Sequence, residues 1–428
     1  MKKKLLLVLC ACMLLGGCSN AANMGTNGES GNDKKVTMEQ GSATTKKLGA
    51  ADDREIIPVT LSNEYEKAAY FADQVYESNH ANTLVSPLSL DVALGLAYEG
   101  ASGTTKEELQ KYLGREDYGD WVDQYMTYAE GLKTKNYNKG GYSFAYELAN
   151  SIWVKKESKL KGDYQVLVKE KYRAAAENVD FINDAEKTAK KINSWCDEKT
   201  HGMIKQLVSP DMFSEKLEAI LMNSVYFESP WMEEWYLVEH DFTNLKGEKE
   251  TREMMSDVVG AYYENEQATA FAKDYYNGFQ FIGILPKQEG EFTLSELDLK
   301  SLLASGTSKY DVHAIAPKLD YETTANNIVD VLKAQGVNQA FDRYNGQFDR
   351  LVDEKELYIS DILQKCKIEM DEKGTRAAAV TAIMMLECES CEEPVEREKK
   401  EVYLDRPFAF LIYDSVNDKI VFAGKVVA

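Results

Sequence analysis

The chain has 428 residues and a formal net charge of -21. So acidic a chain is poorly suited to binding nucleic acid or adhering to an anionic surface. Residues 56–428 exceed the usual domain length, but no stretch of them has the composition of a linker or the period of a repeat. We therefore expect one large domain.

The first residues have the pattern of a secretory signal. Lys2–Lys4 precede an apolar run from Leu5 to Leu15, and two glycines precede Cys18. The run is too short for a membrane span, which needs roughly 20 apolar residues. The cysteine after small residues resembles a bacterial lipobox. We expect residues 1–17 to be a lipoprotein signal peptide and Cys18 to carry lipid; ordinary cleavage beside an incidental cysteine is the alternative.

Residues 18–55 are polar and rich in Asn, Gly, Ser, Thr and Lys. They hold few large apolar side chains, so burial cannot offset the entropy of ordering them. We expect a flexible tether that holds the domain of residues 56–428 outward from the bacterial cell envelope. The membrane would then be a partner only through the N-terminal lipid.

Periodicity predicts both helices and strands in the domain. Amphipathic patterns predict helices over Glu64–Tyr76 and Thr104–Leu113. Apolar runs that end in turn residues predict strands, among them Phe281–Pro286 and Lys419–Gly424. The fold class is therefore expected to be α+β.

Residues 372–386 carry the most informative pattern. Every second residue from Thr375 is small or apolar, as one buried face of a strand requires. The flanking acidic residues suit an exposed loop, and Gly374 stands where a hinge could absorb a backbone change. A segment typical of both a loop and a central strand indicates a conformational switch. The alternating residues are Thr375, Ala377, Ala379, Thr381, Ile383 and Met385.

This pattern resembles the reactive-loop hinge of the serpins, and residues 405–408 (Asp-Arg-Pro-Phe) resemble their C-terminal signature. One short motif is weak evidence, but many in the family's order are strong evidence. The resemblance runs from about Pro58 to Ala428. It implies a serpin fold with a large mixed β-sheet, further sheets, a helical cluster and an exposed reactive loop at about residues 373–400. The other matching segments are residues 86–89, 100–105, 148–153, 192–195, 200–204 and 223–227, with Trp231.

The resemblance also implies a function. A serpin is cut as a substrate, and its loop then inserts into the sheet before the protease can hydrolyse the acyl bond. We expect a monomeric suicide inhibitor of endopeptidases, of the serine class first and the cysteine class second, with no metal or cofactor. The alternative is a non-inhibitory serpin that acts as a surface binding or structural protein. An enzyme is disfavoured because the sequence has no nucleophile elbow, zinc helix or phosphate loop.

By the same resemblance, Lys318 and Glu372 align with a pair that closes the top of the sheet in relatives. Two positions depart from the family. Arg376 replaces the usual acidic residue, but it falls on the outward face of the alternation and can stay in solvent. Gln364 replaces a frequent histidine; an amide still donates and accepts, so we expect the gate to persist with a changed pH response. The implied hinge is Glu372, Gly374, Thr375, Ala377, Ala379 and Thr381, and the implied sheet gate is Ser86, Ser89, Asn223, Trp231, Gln364 and Lys318.

The alternation also bears on the scissile bond. It ends at Met385, because Glu387 would place a carboxylate on the buried face. The usual family length from Gly374 brings the bond to Cys388-Glu389, whereas counting back from Pro407 brings it near Glu396. The loop therefore has about eight extra residues, which we assign to residues 390–400. The neighbouring candidates for the reactive bond are Met385, Leu386 and Glu387.

Two features of the loop have competing interpretations. Cutting at Arg397 is expected to leave an over-long strand, and so to give a substrate. Cys388 and Cys391 have the spacing of a redox or metal pair, but a zinc site needs two further ligands and none lies nearby in the sequence. Two incidental thiols are the simpler interpretation.

Overall fold

The computed structural model describes residues 47–48, 56–134, 144–353, 357–375 and 397–428. The helices of these residues are α1 (Glu64–Asn79), α2 (Pro87–Gly100), α3 (Gly103–Leu113), α4 (Tyr118–Thr134), α5 (Gly162–Tyr172), α6 (Ala185–Lys199), α7 (Leu299–Ala304) and α8 (Ile328–Ala334). The strands are β1 (Thr83–Val85), β2 (Ala145–Lys155), β3 (Ala175–Val179), β4 (Ala219–Pro230), β5 (Tyr236–Thr243), β6 (Lys249–Val259), β7 (Ala261–Glu264), β8 (Ala268–Asp274), β9 (Phe279–Pro286), β10 (Tyr310–Pro317), β11 (Leu319–Ala325), β12 (Ile359–Asp371), β13 (Gly374–Thr375), β14 (Glu398–Tyr403), β15 (Phe408–Asp414) and β16 (Lys419–Val426).

The central sheet has, in the described residues, six strands in the order β11-β12-β13-β4-β2-β3. It is mixed, because β4 is parallel to β12 and antiparallel to β2. Two further sheets have the orders β1-β16-β15-β9-β8-β7 and β14-β10-β6-β5. Helices and three sheets in one chain confirm the expected α+β class, and the mixed central sheet agrees with the expected architecture.

Helix α2 lies against the core face of the central sheet. Pro87 occupies its first turn, and the Ser86 hydroxyl caps it by accepting a hydrogen bond from the Ser89 backbone at 3.3 Å. Most of its residues are buried, as expected for a helix that is apolar on most of its surface. It packs between β2 and β4 on one side and β16 on the other. The cap thereby places Ser86 and Ser89 beneath the centre of the sheet.

Helix α6 covers the opposite face of the central sheet. Its buried Ile192 and Cys196 pack in a second core cluster with Trp153 of β2, Met222 of β4 and Leu363 of β12. Any strand added between β4 and β12 would therefore have one face toward α2 and the other toward the α6 side. No helix within the described ranges combines the length and apolar character needed to cross a bilayer.

The structure differs from the sequence-based boundaries at three places. Helix α1 continues past Tyr76 and ends where His80 adopts a left-handed conformation, with φ of 49°. Leu48, within the expected tether, is 1% exposed and packs in the cluster under α6, and its backbone N–H donates to the Met212 carbonyl at 2.8 Å. Strand β14 begins at Glu398, so the expected loop range of 373–400 overlaps paired strand residues at both ends.

Candidate functional site

Strand β13 lies between β4 and β12 at one end of the central sheet. Thr375 pairs antiparallel with Ser229 of β4 and with Met370 of β12. At the other end, β4 and β12 pair directly, up to Asn223 and Gln364. Between these two points, no described strand lies between residues 224–228 of β4 and 365–369 of β12. Among the described strands, the sheet is therefore divided between residues 224–228 and 365–369, and β13 stands at the entrance of this division.

Thr375 faces the core side of the sheet. Its side chain is 4% exposed, and its hydroxyl is 2.5 Å from the Tyr275 hydroxyl. The Tyr275 ring stacks on Trp231, with 4.0 Å between ring centroids. Sequence spacing gave no signal for Tyr275, because the bond joins residues 100 positions apart. Thr375 is thus already held as a strand residue with its hydroxyl satisfied.

Gly374 is required by a close backbone approach. A Cβ built on it would lie 2.4 Å from the Ser229 carbonyl oxygen and 2.7 Å from the Pro230 Cα. Backbone atoms of a paired strand cannot move aside as a flexible side chain can, so any larger residue would force β13 away from β4. The structure gives Gly374 a packing role at the entrance, and its role as a hinge stays a prediction.

Hydrogen bonds from Trp231 and an ion pair with Lys318 hold the turn between β12 and β13. The Trp231 indole N–H donates to the Asp371 carbonyl at 2.8 Å, and its backbone N–H donates to the Lys373 carbonyl at 3.0 Å. Lys318 Nζ lies 3.0 Å from Glu372 and 2.7 Å from Glu253. The structure therefore brings Lys318 and Glu372 together, and adds Glu253, which no motif indicated.

The Lys318 pair should make stability depend on pH. Partial burial favours a higher pKa for Glu372, but hydrogen bonding to Lys318 and its charge outweigh burial, so the pKa lies below its ordinary value. A lowered carboxyl pKa stabilises the fold above about pH 4.3, the unfolded value, and this contribution is lost as the pH falls through the folded value. Because both side chains reach solvent, the contribution is about 1 kcal/mol or less.

We therefore expect Glu372→Gln to lower the unfolding free energy by up to about 1 kcal/mol at pH 7 and by much less at pH 3. Denaturant unfolding at the two pH values measures the difference. Glu253→Gln is the matched control, because it removes the second carboxylate of Lys318 and leaves the Glu372 contact. The same loss for Glu372→Gln at both pH values would contradict the ion pair.

Gln364 connects the sheet to α2 at the point where β4 and β12 separate. Its amide N–H₂ donates to the Asn223 side-chain oxygen at 2.7 Å and to the Ser86 carbonyl at 2.9 Å. Its oxygen accepts from the Ser86 backbone N–H at 2.8 Å. All three residues are buried, as is Ser89. Gln364 thus links β12 to β4 and to the start of α2. Any further separation of β4 from β12 would have to break its bond to Asn223.

The remaining expected site residues lie outside the described residues. They comprise the rest of the hinge, the candidate scissile bond and its neighbours, and the lipidation site. Within the described part of the chain, no group of His, Cys, Asp or Glu is arranged to hold a metal ion. The residues outside the description are Cys18, Arg376, Ala377, Ala379, Thr381, Ile383, Met385, Leu386, Glu387, Cys388, Glu389 and Cys391.

Comparisons with known proteins agree with this geometry. The family model for serpins (serine protease inhibitors) matches residues 66–428. A serpin-like protein of Thermococcus kodakarensis is 27% identical, over 100% of this chain and 99% of its own. Serpin B6 of Macaca fascicularis is 28% identical, over 82% of this chain and 94% of its own.

Solved structures agree on the fold. Serpin48 of the insect Tenebrio molitor superposes with a TM-score of 0.72 at 28% identity, covering 86% of this chain and 97% of its own. The native state of tengpin, a thermophilic serpin, gives 0.70 at 28% identity, covering 88% and 97%. The chain in which β13 lies between β4 and β12 thus matches the family model over most of its length. This chain belongs to the serpin family, whose members are mostly protease inhibitors rather than enzymes.

Proposed function

We propose that the protein is a suicide-substrate inhibitor of endopeptidases that traps them by inserting its cleaved loop into the central sheet. The observation that carries the proposal is the position of β13, which is already paired with both β4 and β12 at the open end of the division. A loop that is hydrogen-bonded at its first two residues can continue along the same register as far as Asn223 and Gln364, and beyond that point β4 and β12 have to separate.

Continuing that register gives a specific partner for every inserted residue. Ala377 would lie between Phe227 and Ile368, which are both buried on the core face. Thr381 would lie between Asn223 and Gln364, where its hydroxyl could replace the bond that insertion breaks. On insertion, the inward residues of the sequence pattern would therefore meet a buried face, and Thr381, the one polar member past Thr375, would meet the polar side chains of Asn223 and Gln364.

Trapping requires the target protease to complete only the first covalent step of its reaction, which is acylation. The protease nucleophile attacks the scissile carbonyl, the peptide C–N bond breaks, and the new amine leaves with the C-terminal fragment. The serpin then remains esterified through the residue before the cut. Insertion of residues 376–385 would carry that residue roughly 33 Å at about 3.3 Å per strand residue. A displacement of that size can distort the protease before water completes the hydrolysis.

We also propose that serine proteases are the first target class and cysteine proteases the second. Support comes from the family model and from relatives named as inhibitors, such as the leukocyte elastase inhibitor of Xenopus tropicalis. A non-inhibitory surface protein is the second candidate. The acidic charge favours monomeric, soluble behaviour of the folded part, and the N-terminal pattern supports lipid attachment at Cys18 with the domain facing outward from a bacterial envelope.

A panel of proteases tests the function directly. We expect at least one elastase-, subtilisin- or chymotrypsin-like protease to give a complex that survives boiling in detergent, because the acyl bond is covalent. The same protease blocked beforehand at its nucleophile should give none. The mass of the released C-terminal peptide identifies the scissile bond. Clean loop cleavage by every protease, with no stable complex, would favour the non-inhibitory alternative.

A further inference from the structure

A cavity of about 240 Å³ lies between helices α1 to α4 and the start of β16. None of the residues that line it belongs to the central sheet. An engineered protein cavity of about 150 Å³ is enough to hold benzene. This cavity therefore has room for a small aromatic molecule.

One polar group of the cavity lining has no partner. The Tyr118 side chain is 3% exposed, and its hydroxyl forms no hydrogen bond within the described part of the chain. An unpaired buried hydroxyl costs free energy, so a bound molecule that pairs with it gains affinity. After burial, the charge of Asp91 is the main cause of the raised pKa of Tyr118, and both residues line the cavity. The hydroxyl therefore lies on the side of Asp91.

Asp91, near the start of α2, gives the cavity a carboxylate. Burial raises its pKa to about 6, although the charges of Lys67 and Lys419 and a hydrogen bond from Tyr112 lower it. These partners thus offset only part of the cost of burial. A bound molecule that donates a hydrogen bond would stabilise the charged form further.

The charge balance of the lining favours an anion. Of its three cations, Lys419 pairs with Glu64 at 2.7 Å. Lys67 forms no ion pair with a described carboxylate, and its ammonium donates to a backbone carbonyl of α3. Arg115 lies 3.8 Å from Asp117, and both side chains are exposed, so this pair contributes little. Lys67 and Arg115 are therefore available to a negatively charged group.

Aromatic side chains form another part of the lining. The ring centroids of Trp121 and Tyr118 are 5.3 Å apart, and the Arg115 guanidinium lies 5.4 Å from the Trp121 ring centroid. Phe71 and Leu88 add to the apolar surface. Ligand sites commonly combine such a surface with a few polar groups that fix orientation. A flat ring with a polar group at each end would match this arrangement.

We propose that the cavity binds a small aromatic acid with a carboxylate at one end and a hydroxyl at the other. Arg115 and Lys67 would hold the carboxylate, since a guanidinium matches its planar geometry. The ring would pack against Trp121, and the hydroxyl would donate to Asp91 and accept from Tyr118. A cationic ligand would instead be repelled by Arg115 and Lys67. The site is independent of loop insertion, because none of its residues belongs to the loop or to the central sheet.

4-Hydroxyphenylacetate is the probe for this site, and titration calorimetry measures its binding without a protease. We expect a Kd on the order of 1 mM for a ligand of so few atoms. Phenylacetate lacks the hydroxyl and should bind roughly three- to tenfold more weakly. Tyramine carries an ammonium group in place of the carboxylate and should bind at least about tenfold more weakly. Absence of 4-hydroxyphenylacetate binding, or equal or tighter binding of tyramine, would overturn the proposal.

Three variants test whether the probe occupies this cavity. Arg115→Gln should weaken its binding roughly tenfold, because a charged partner is removed. Tyr118→Phe should weaken it about three- to tenfold without lowering the melting temperature, since the hydroxyl has no partner among the described residues. Tyr125→Phe is the matched control. Its hydroxyl contacts Asp414 at 3.0 Å outside the cavity, so the melting temperature should fall while binding stays unchanged. Unchanged affinity in Arg115→Gln or Tyr118→Phe would contradict the assignment.

Discussion

Cleavage of the loop near Cys388 is expected to raise the melting temperature by about 10 °C or more. The intact sheet leaves residues 224–228 and 365–369 without a described strand between them. Insertion would add a ladder of hydrogen bonds on both sides and remove the direct β4–β12 bonds between residues 219–223 and 359–364, so the gain is the difference, at about 1 kcal/mol net for each bond. Burial of Ile383 and Met385 would add about 1.5–3 kcal/mol for each side chain. Scanning calorimetry of intact and nicked protein measures the gain.

A nick at Arg397 is the internal control for this gain. It cuts the same chain in the same region, directly before β14 begins at Glu398. The freed segment would then include Glu387, Glu389 and the extra residues up to Glu396. Their carboxylates cannot be buried in an apolar strand position without a large cost. We expect a smaller rise than for the Cys388 nick. Identical melting of intact and Cys388-nicked protein would mean that no strand inserts, and the inhibitory mechanism would be lost with it.

The second large effect is expected from Ala377→Arg, which should convert the inhibitor into a substrate. In the continued register this side chain would enter the core face between Phe227 and Ile368, which are 3% exposed each. A guanidinium without a partner in such a position costs several kcal/mol. Insertion would then be slower than hydrolysis of the acyl bond. Electrophoresis should show cleaved protein and free protease where the wild type gives a stable complex.

Two further variants separate this effect from damage to the intact fold. Ala377→Ser keeps a small side chain and should still inhibit. Thr375→Arg should abolish inhibition as well, but it should also destabilise the intact protein, because Thr375 is already buried and bonded to Tyr275. Ala377→Arg should leave the melting temperature of the intact protein close to wild type. If it retained full inhibition, the inward assignment of the alternating residues would be wrong.

Much of the fold could be predicted from local patterns. The helices at α1 and α3 and the strands at β9 and β16 follow from periodicities in a few neighbouring residues, so their existence was predicted and only their ends differed. Helix α1 continued to Asn79 because its end depends on the left-handed conformation of His80. Leu48 departs further from the prediction: it was expected in the flexible tether and is buried in the cluster under α6. A single apolar residue in a polar segment gives no periodicity from which to predict its burial.

The sequence by itself determined the alternation of small residues from Thr375, which is a local property of the chain, and from it we predict that residues 372–386 can be both loop and strand. It also indicated that Lys318 and Glu372 should meet, through the resemblance of ordered motifs. Only the tertiary structure decided which residues surround the short strand β13 at the end of the central sheet. Tyr275 contacts Thr375, and Glu253 contacts Lys318, from segments far apart in sequence. Strand register brings such residues together, and register depends on long-range pairing and packing that no local pattern encodes.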